Sequence, residues 1–265
     1  MDQNELITKI TNEVMKRLQA ELEKRSIQPG TTGGGGKFSG ADPASLAQYI
    51  DHTLLKPEST LPQFDKLCDE AKQYKFKSVC VNSCRVPYVV KKLQGTGILV
   101  CSVIGFPLGA MDSRAKAFEA RRAIEEGAKE VDMVINVGAL KSGELKVVEE
   151  DIRAVRRATR GTTALKVIIE TALLTQEEKV LACELAKKAG ADFVKTCTGF
   201  AGGGATPEDI ALMRRVVGPN MGVKASGGVR DYDKAVAVFN AGANRIGAVS
   251  SVAIVTGVRG ESKGY

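Results

Sequence analysis

From about residue 41 onward, strand-length runs of Val, Ile, Leu and Ala alternate with stretches of helical period. Candidate strands fall near 47–53, 78–82, 97–104, 130–136, 165–171, 191–197, 221–226 and 243–249, with the clearest helical patterns at 112–127, 143–160, 175–189, 206–217 and 231–241. Near-continuous apolar runs of this kind suit parallel strands covered on both faces. Eight such alternations in roughly 220 residues favour a closed (β/α)8 TIM barrel, with a doubly wound open sheet as the alternative. No Gly-x-Gly-x-x-Gly follows the first strand and no Gly-x-x-x-x-Gly-Lys-Ser/Thr occurs, so a nucleotide fold has little support.

Two of the apolar runs carry a lysine. Lys166 lies in Leu165-Lys166-Val167-Ile168-Ile169-Glu170-Thr171 and Lys195 in Ala191-Asp192-Phe193-Val194-Lys195-Thr196. Burying an ammonium is costly unless it is paired or neutralised. A strand lysine that sheds its proton becomes a nucleophile able to form a Schiff base; one at a strand end, or paired with a structural carboxylate, has no such role. Asp132, in Glu130-Val131-Asp132-Met133-Val134-Ile135-Asn136, shares a strand face with Val134 and Asn136 by period-two alternation. If the faces point inward, Asp132, Lys166 and Lys195 come from strands four, five and six. Two adjacent ammonium groups are then expected to depress one another, with Asp132 shuttling protons or serving as a plain ion-pair partner.

The single histidine, His52, excludes a multi-histidine metal site, so carbanion chemistry needs an organic electron sink and no metal or cofactor is expected. The six cysteines (Cys68, Cys80, Cys84, Cys101, Cys183 and Cys197) lack paired spacing, which with no secretory signal suits reduced thiols and a cytoplasmic location. The net charge of +7 is spread without a Lys/Arg block interleaved with aromatics. That favours a small anionic substrate over nucleic acid, and no membrane partner is expected. Glycine-bearing turns at Gly199 with Gly202–Gly204, at Ser226-Gly227-Gly228 and at Gly247-Ala248-Val249-Ser250 could present backbone N–H groups to an anion. Beside the lysine pair they suggest a phosphorylated carbonyl substrate.

Residues 1–24 place Leu6, Ile7, Ile10, Val14, Leu18 and Leu22 at steps of three and four, giving an amphipathic helix with a narrow apolar stripe. Its acidic start and lack of a continuous apolar core argue against a signal peptide. Residues 25–42, with Pro29-Gly30 and Gly33–Gly36, read as a flexible Gly-rich linker, and 43–265 as the barrel.

Ile50-Asp51-His52-Thr53-Leu54-Leu55-Lys56-Pro57, Glu130 to Gly138, Lys166 to Thr171, Asp192 to Thr196 and Gly222 to Arg230 together resemble the 2-deoxyribose-5-phosphate aldolases, from about residue 45 onward and in family order. The resemblance implies a class I aldolase on a TIM barrel that interconverts 2-deoxyribose 5-phosphate with glyceraldehyde 3-phosphate and acetaldehyde. On matching positions Lys166 would form the Schiff base, Lys195 would lower its pKa and Asp132 would relay protons. Asp51, Thr53 and Cys80 would line the pocket, the turns at Gly199, Gly227, Gly228, Gly247 and Ser250 would bind substrate, and Tyr265 resembles a C-terminal tyrosine that assists proton transfer. One position departs from the family pattern: Val249 stands where a hydroxyl usually helps hold the phosphate, and Ser250 could substitute for it. Residues 1–40 resemble an encapsulation peptide and its linker, implying a microcompartment shell protein as partner of residues 1–24 and a possible place in the compartment lumen. Other copies of the chain are expected as partners too. Another Schiff-base sugar-phosphate aldolase or transaldolase, or a weakly active barrel kept as shell cargo, are the competing expectations.

Overall fold

The computed structural model describes residues 42–159 and 163–257. The expected N-terminal helix, most of the linker and Tyr265 lie outside these residues. Eight parallel strands close into a barrel in chain order: β1 Ile50–Leu54, β2 Ser78–Val81, β3 Leu99–Ile104, β4 Glu130–Val134, β5 Ala164–Ile168, β6 Phe193–Lys195, β7 Gly222–Ser226 and β8 Arg245–Ala248. Closure is made by β8 against β1, with Asp51 opposite Gly247. The expected TIM barrel is therefore observed, and the open sheet is not.

Nine α-helices are described: α1 Leu61–Tyr74, α2 Val86–Leu93, α3 Ser113–Glu125, α4 Val137–Lys141, α5 Leu145–Ala158, α6 Gln176–Lys188, α7 Pro207–Val217, α8 Tyr232–Asn240 and α9 Ser251–Thr256. A 3-10 turn at Pro43–Tyr49 precedes β1. Local chemistry sets several starts. Thr206 accepts from the Asp209 N–H ahead of Pro207, and Thr175 forms a reciprocal capping box with Glu178. Asn136, expected to extend β4, instead accepts from the Ala139 N–H at 3.0 Å and caps α4. β5 also stops earlier than its apolar run, because Glu170 adopts a left-handed φ of 59° and turns the chain into a 3-10 segment at Thr171–Leu173.

The outward-facing residues Val131, Met133, Leu165, Val167, Val194, Val223 and Ile246 belong to one apolar layer between barrel and helices. This layer supplies the burial that drives folding. The barrel interior differs. Instead of the usual branched apolar layers, it holds Asp51, Asp132, Lys166, Lys195, Lys224 and Arg245, all buried. Between α3 and α5 the buried Lys116 donates to Asp151 at 2.6 Å and to the Val134 carbonyl at 2.9 Å, tying both helices to the end of the strand that carries Asp132. Beneath the charged layer the Phe193 ring fills the barrel, and it fits because β7 offers glycine there: a Cβ on Gly222 would lie 2.0 Å from the ring. Gly222→Ala is expected to destabilise the fold by about 1–3 kcal/mol through overpacking, read as a lower urea midpoint; an unchanged midpoint would contradict this packing.

Candidate active site

Each interior charge is delivered by strand register. Asp132 on β4 stands opposite Lys166 on β5, and Lys195 on β6 stands opposite Lys224 on β7. Lys224 in turn stands opposite Arg245 on β8. Their side chains converge on one carboxylate. Lys166 Nζ donates to Asp132 Oδ1 at 2.8 Å, while Lys195 and Lys224 both donate to Oδ2 at 2.8 Å. The three residues singled out in the sequence as chemistry-bearing are thus brought together.

The sequence reading missed three partners. Lys224 sits in the Gly222–Ser226 strand with the same signature as the other two, a lysine inside a buried apolar run, so the signal was present. Glu130 lies 2.6 Å from Lys166 Nζ, and Arg245 grips Glu130 with two bonds of 3.0 Å. Neither stood out, because each occupies the first position of its strand, where a charged residue normally meets solvent.

Asp51 is a buried counter-ion. It bonds Lys224, accepts from Arg245 Nη1 at 2.6 Å and accepts from Ser78 Oγ at 2.7 Å. Thr53 donates within β1 to the Asp51 carbonyl at 2.8 Å. Cys80 is buried in a small apolar cluster with Leu55, Cys101 and Val103, against which Phe106 packs. Gly227, Gly228, Gly247 and Ser250 do come together, lining a cavity of about 290 Å³ at the barrel mouth with Lys56 and Arg230. Gly247 has a second role: a Cβ there would sit 2.9 Å from Lys224 Cε, so its absence lets the Lys224 chain pass. Gly199 turns the chain after β6 at φ 88° and is not part of that lining. Val249 lies at the cavity rim, 48% exposed.

Burial pushes the Lys166 amine down, but Asp132 and Glu130 at contact distance outweigh it and hold the pKa well above the ordinary lysine value. Lys195 bonds the other oxygen of the same carboxylate. Burial also opposes ionisation of Asp132, yet Lys166, Lys195 and Lys224 hold its carboxyl well below the usual range. Asp51 is likewise lowered, burial being overcome by Lys224 and Arg245. Asp51, Glu130 and Asp132 face Lys166, Lys195, Lys224 and Arg245, which leaves one unbalanced positive charge when all are ionised. That excess suits the site to receiving an anion.

Cys80, Cys101 and Asp132 place ligand atoms within 4.8 Å of one another. A metal ion does not suit them: both Asp132 oxygens are taken by ammonium groups, and burial pushes the Cys101 thiol up, keeping it protonated. Among the described residues no helix is long and apolar enough to cross a membrane.

Because Asp51 and Asp132 have lowered folded-state values, the stability they contribute is complete above the unfolded carboxyl pKa of about 4 and is lost as pH falls below it. Urea midpoints should therefore fall steeply on acidification below about pH 4. Asp132→Asn should flatten that dependence while costing about 3–5 kcal/mol at neutral pH, since three buried ammonium groups would surround a neutral amide. An acid limb of wild-type steepness in the variant would contradict the arrangement.

The sequence profile of the DeoC/LacD family aldolases matches residues 45–258. The deoxyribose-phosphate aldolase of Clostridium novyi is 60% identical over 221 residues, covering 83% of this chain and all of the relative. That of Halalkalibacterium halodurans is 63% identical over 218 residues, covering 82% of this chain and 97% of the relative. Among solved structures, the tetrameric deoxyribose phosphate aldolase of Aeropyrum pernix superposes with a TM-score of 0.76 at 34% identity, covering 81% of this chain and 91% of that one. With the converged lysines and carboxylate at the centre of its barrel, the chain belongs to the DeoC/LacD family of aldolases.

Proposed function

We propose that the chain is a class I aldolase that reversibly cleaves 2-deoxy-D-ribose 5-phosphate to D-glyceraldehyde 3-phosphate and acetaldehyde. The observation that carries this reading is the carboxylate of Asp132 bonded at once to Lys166 and Lys195. It is supported by about 60% identity to relatives named for that activity.

Lys166, once deprotonated, attacks the C1 aldehyde; the carbinolamine loses water and leaves an iminium. A base removes the proton from the C3 hydroxyl, the C2–C3 bond breaks, and its electron pair moves into the iminium as an enamine. Protonation at C2 and hydrolysis then free acetaldehyde and regenerate the amine. Asp132 is the group placed to pass protons between Lys166 and Lys195, and the Lys195 side chain is the more exposed of the two lysines, 4% against 0%. The iminium carries the same positive charge as the ammonium it replaces, and Asp132 beside it stabilises that charge.

At the mouth, the backbone of Gly227, Gly228 and Gly247, with Ser250, Arg230 and Lys56, offers a cationic, N–H-rich cradle for the phosphate. Val249 provides no hydroxyl there. One hydrogen bond to a charged group is worth roughly 1.5–3 kcal/mol, so Val249→Ser should lower the KM for the phosphorylated substrate about tenfold or more with kcat little changed.

Two further assignments rest on the amino-acid sequence. Residues 1–24, an amphipathic stripe joined by a Gly-rich linker, act as an encapsulation peptide for a microcompartment shell protein; acetaldehyde, volatile and reactive, gives confinement a chemical purpose. Deleting residues 1–40 should spare turnover and abolish co-purification with shells, and retention in shells would overturn this role. The chain also assembles with its own copies, a reading supported by the tetrameric Aeropyrum relative.

The catalytic assignment is tested by incubating the enzyme with acetaldehyde and borohydride and mapping the modified peptide. A two-carbon adduct on Lys166 is expected, and Lys166→Ala should fold but turn over nothing above background. An adduct on Lys195 or Lys224 instead, or residual turnover in Lys166→Ala, would overturn it.

A further inference from the structure

Lys166 bridges two levels of the barrel. Asp132 and Glu130 lie two residues apart on β4 and on the same inward face, so Glu130 sits roughly 7 Å nearer the closed N-terminal end. Lys166 Nζ is 2.8 Å from Asp132 and 2.6 Å from Glu130, the shorter contact pointing away from the mouth through which substrate enters. Glu130 cannot follow the amine upward, because Arg245 grips both its oxygens at 3.0 Å. Arg245 is itself fixed by Asp51 at 2.6 Å and lies over the Phe193 ring, 5.5 Å from its centroid. The same ring floors Lys166, whose Nζ is 6.0 Å from the centroid.

We propose that Glu130, clamped by Arg245, is a positioning residue for the Schiff-base chemistry: it holds the Lys166 amine low in the barrel as a charged, withdrawn group until an aldehyde draws it upward. This rests on Lys166 being the Schiff-base lysine. The other groups facing Lys166 are Asp132 on β4, Cys101 on β3 at 3.5 Å and Asp51 on β1 at 4.0 Å. Lys195 on β6 and Lys224 on β7 act on it through the shared Asp132. Glu130 itself faces only Lys166 and Arg245 among the charges described here. Removing its charge leaves Lys166 with the Asp132 carboxylate at 2.8 Å and that of Asp51 at 4.0 Å, and Asp132 is divided among three ammonium groups. The neutral, nucleophilic amine then forms at lower pH. The clamp protects a reactive amine from adventitious electrophiles at neutral pH, at the cost of a bond that must break before attack.

The test is the pH dependence of acetaldehyde-plus-borohydride labelling of Lys166 in the full chain, read by peptide mass. Labelling rises as pH passes upward through the amine's pKa. In Glu130→Gln the midpoint should fall by about one pH unit or more, with labelling near neutrality about tenfold faster. Glu130→Asp keeps the charge but retracts the carboxylate by one methylene, and should fall between wild type and Glu130→Gln. A residue that only stabilises the fold would lower the urea midpoint and leave the labelling midpoint unmoved, which would overturn the proposal. If Glu130→Gln does not fold, Glu130→Asp decides alone: a shifted midpoint supports the clamp and an unshifted one overturns it. Absence of a Lys166 adduct in the wild-type protein would instead remove the Schiff-base assignment itself, so the two failures are distinguishable.

Discussion

The carboxylate of Asp132, shared by three ammonium groups inside a closed barrel, is the interaction on which the site depends. An exposed pair of this kind would contribute little. Inside the barrel each ion costs several kcal/mol to desolvate, so the charges are tolerable only as a mutually satisfied set. No single strand can assemble that set. Asp51 comes from β1, Glu130 and Asp132 from β4, and the four cations from β5 to β8. The β1–β8 pairing that closes the barrel is what brings Asp51 against Lys224 and Arg245.

The protein divides its labour between two layers. Apolar burial lies outside the barrel, between strands and helices, where alternate strand residues meet the helices without interruption. That layer carries the folding free energy and frees the inward face for chemistry. The inward face is stratified in turn. Phe193 and Arg245 close the base, the lysine–carboxylate network occupies the middle, and the glycine-lined cavity opens at the mouth. The proposed cleavage would use this vertical order, with the phosphate at the rim and the aldehyde at an amine kept out of bulk water. The same order explains why two glycines matter by omission. Gly222 makes room for Phe193, and Gly247 makes room for Lys224.

Protonation follows from the same geometry. Adjacent ammonium groups do not by themselves yield a neutral lysine when carboxylates lie at contact distance from each. In this site the carboxylates win in the resting state, and Lys166 is held charged.

Lys166, Lys195 and Asp132 were legible in the sequence because charge inside a strand-length apolar run has few physical explanations, and the eight-fold alternation favoured the barrel over an open sheet because period and segment length are local properties, while closure itself was seen only in the β1–β8 pairing. Lys224 carried the same mark, in a strand whose turn glycines drew attention to its other end. Glu130 and Arg245 could not be read, since a charged residue at the first position of a strand looks alike whether it meets solvent or the barrel floor. The sequence alone thus determined the strand–helix alternation, which residues share a strand face, and the family motifs. Only the tertiary structure decided which charges meet, because that depends on register and closure among strands more than a hundred residues apart, and Coulomb energy is set by distance in space.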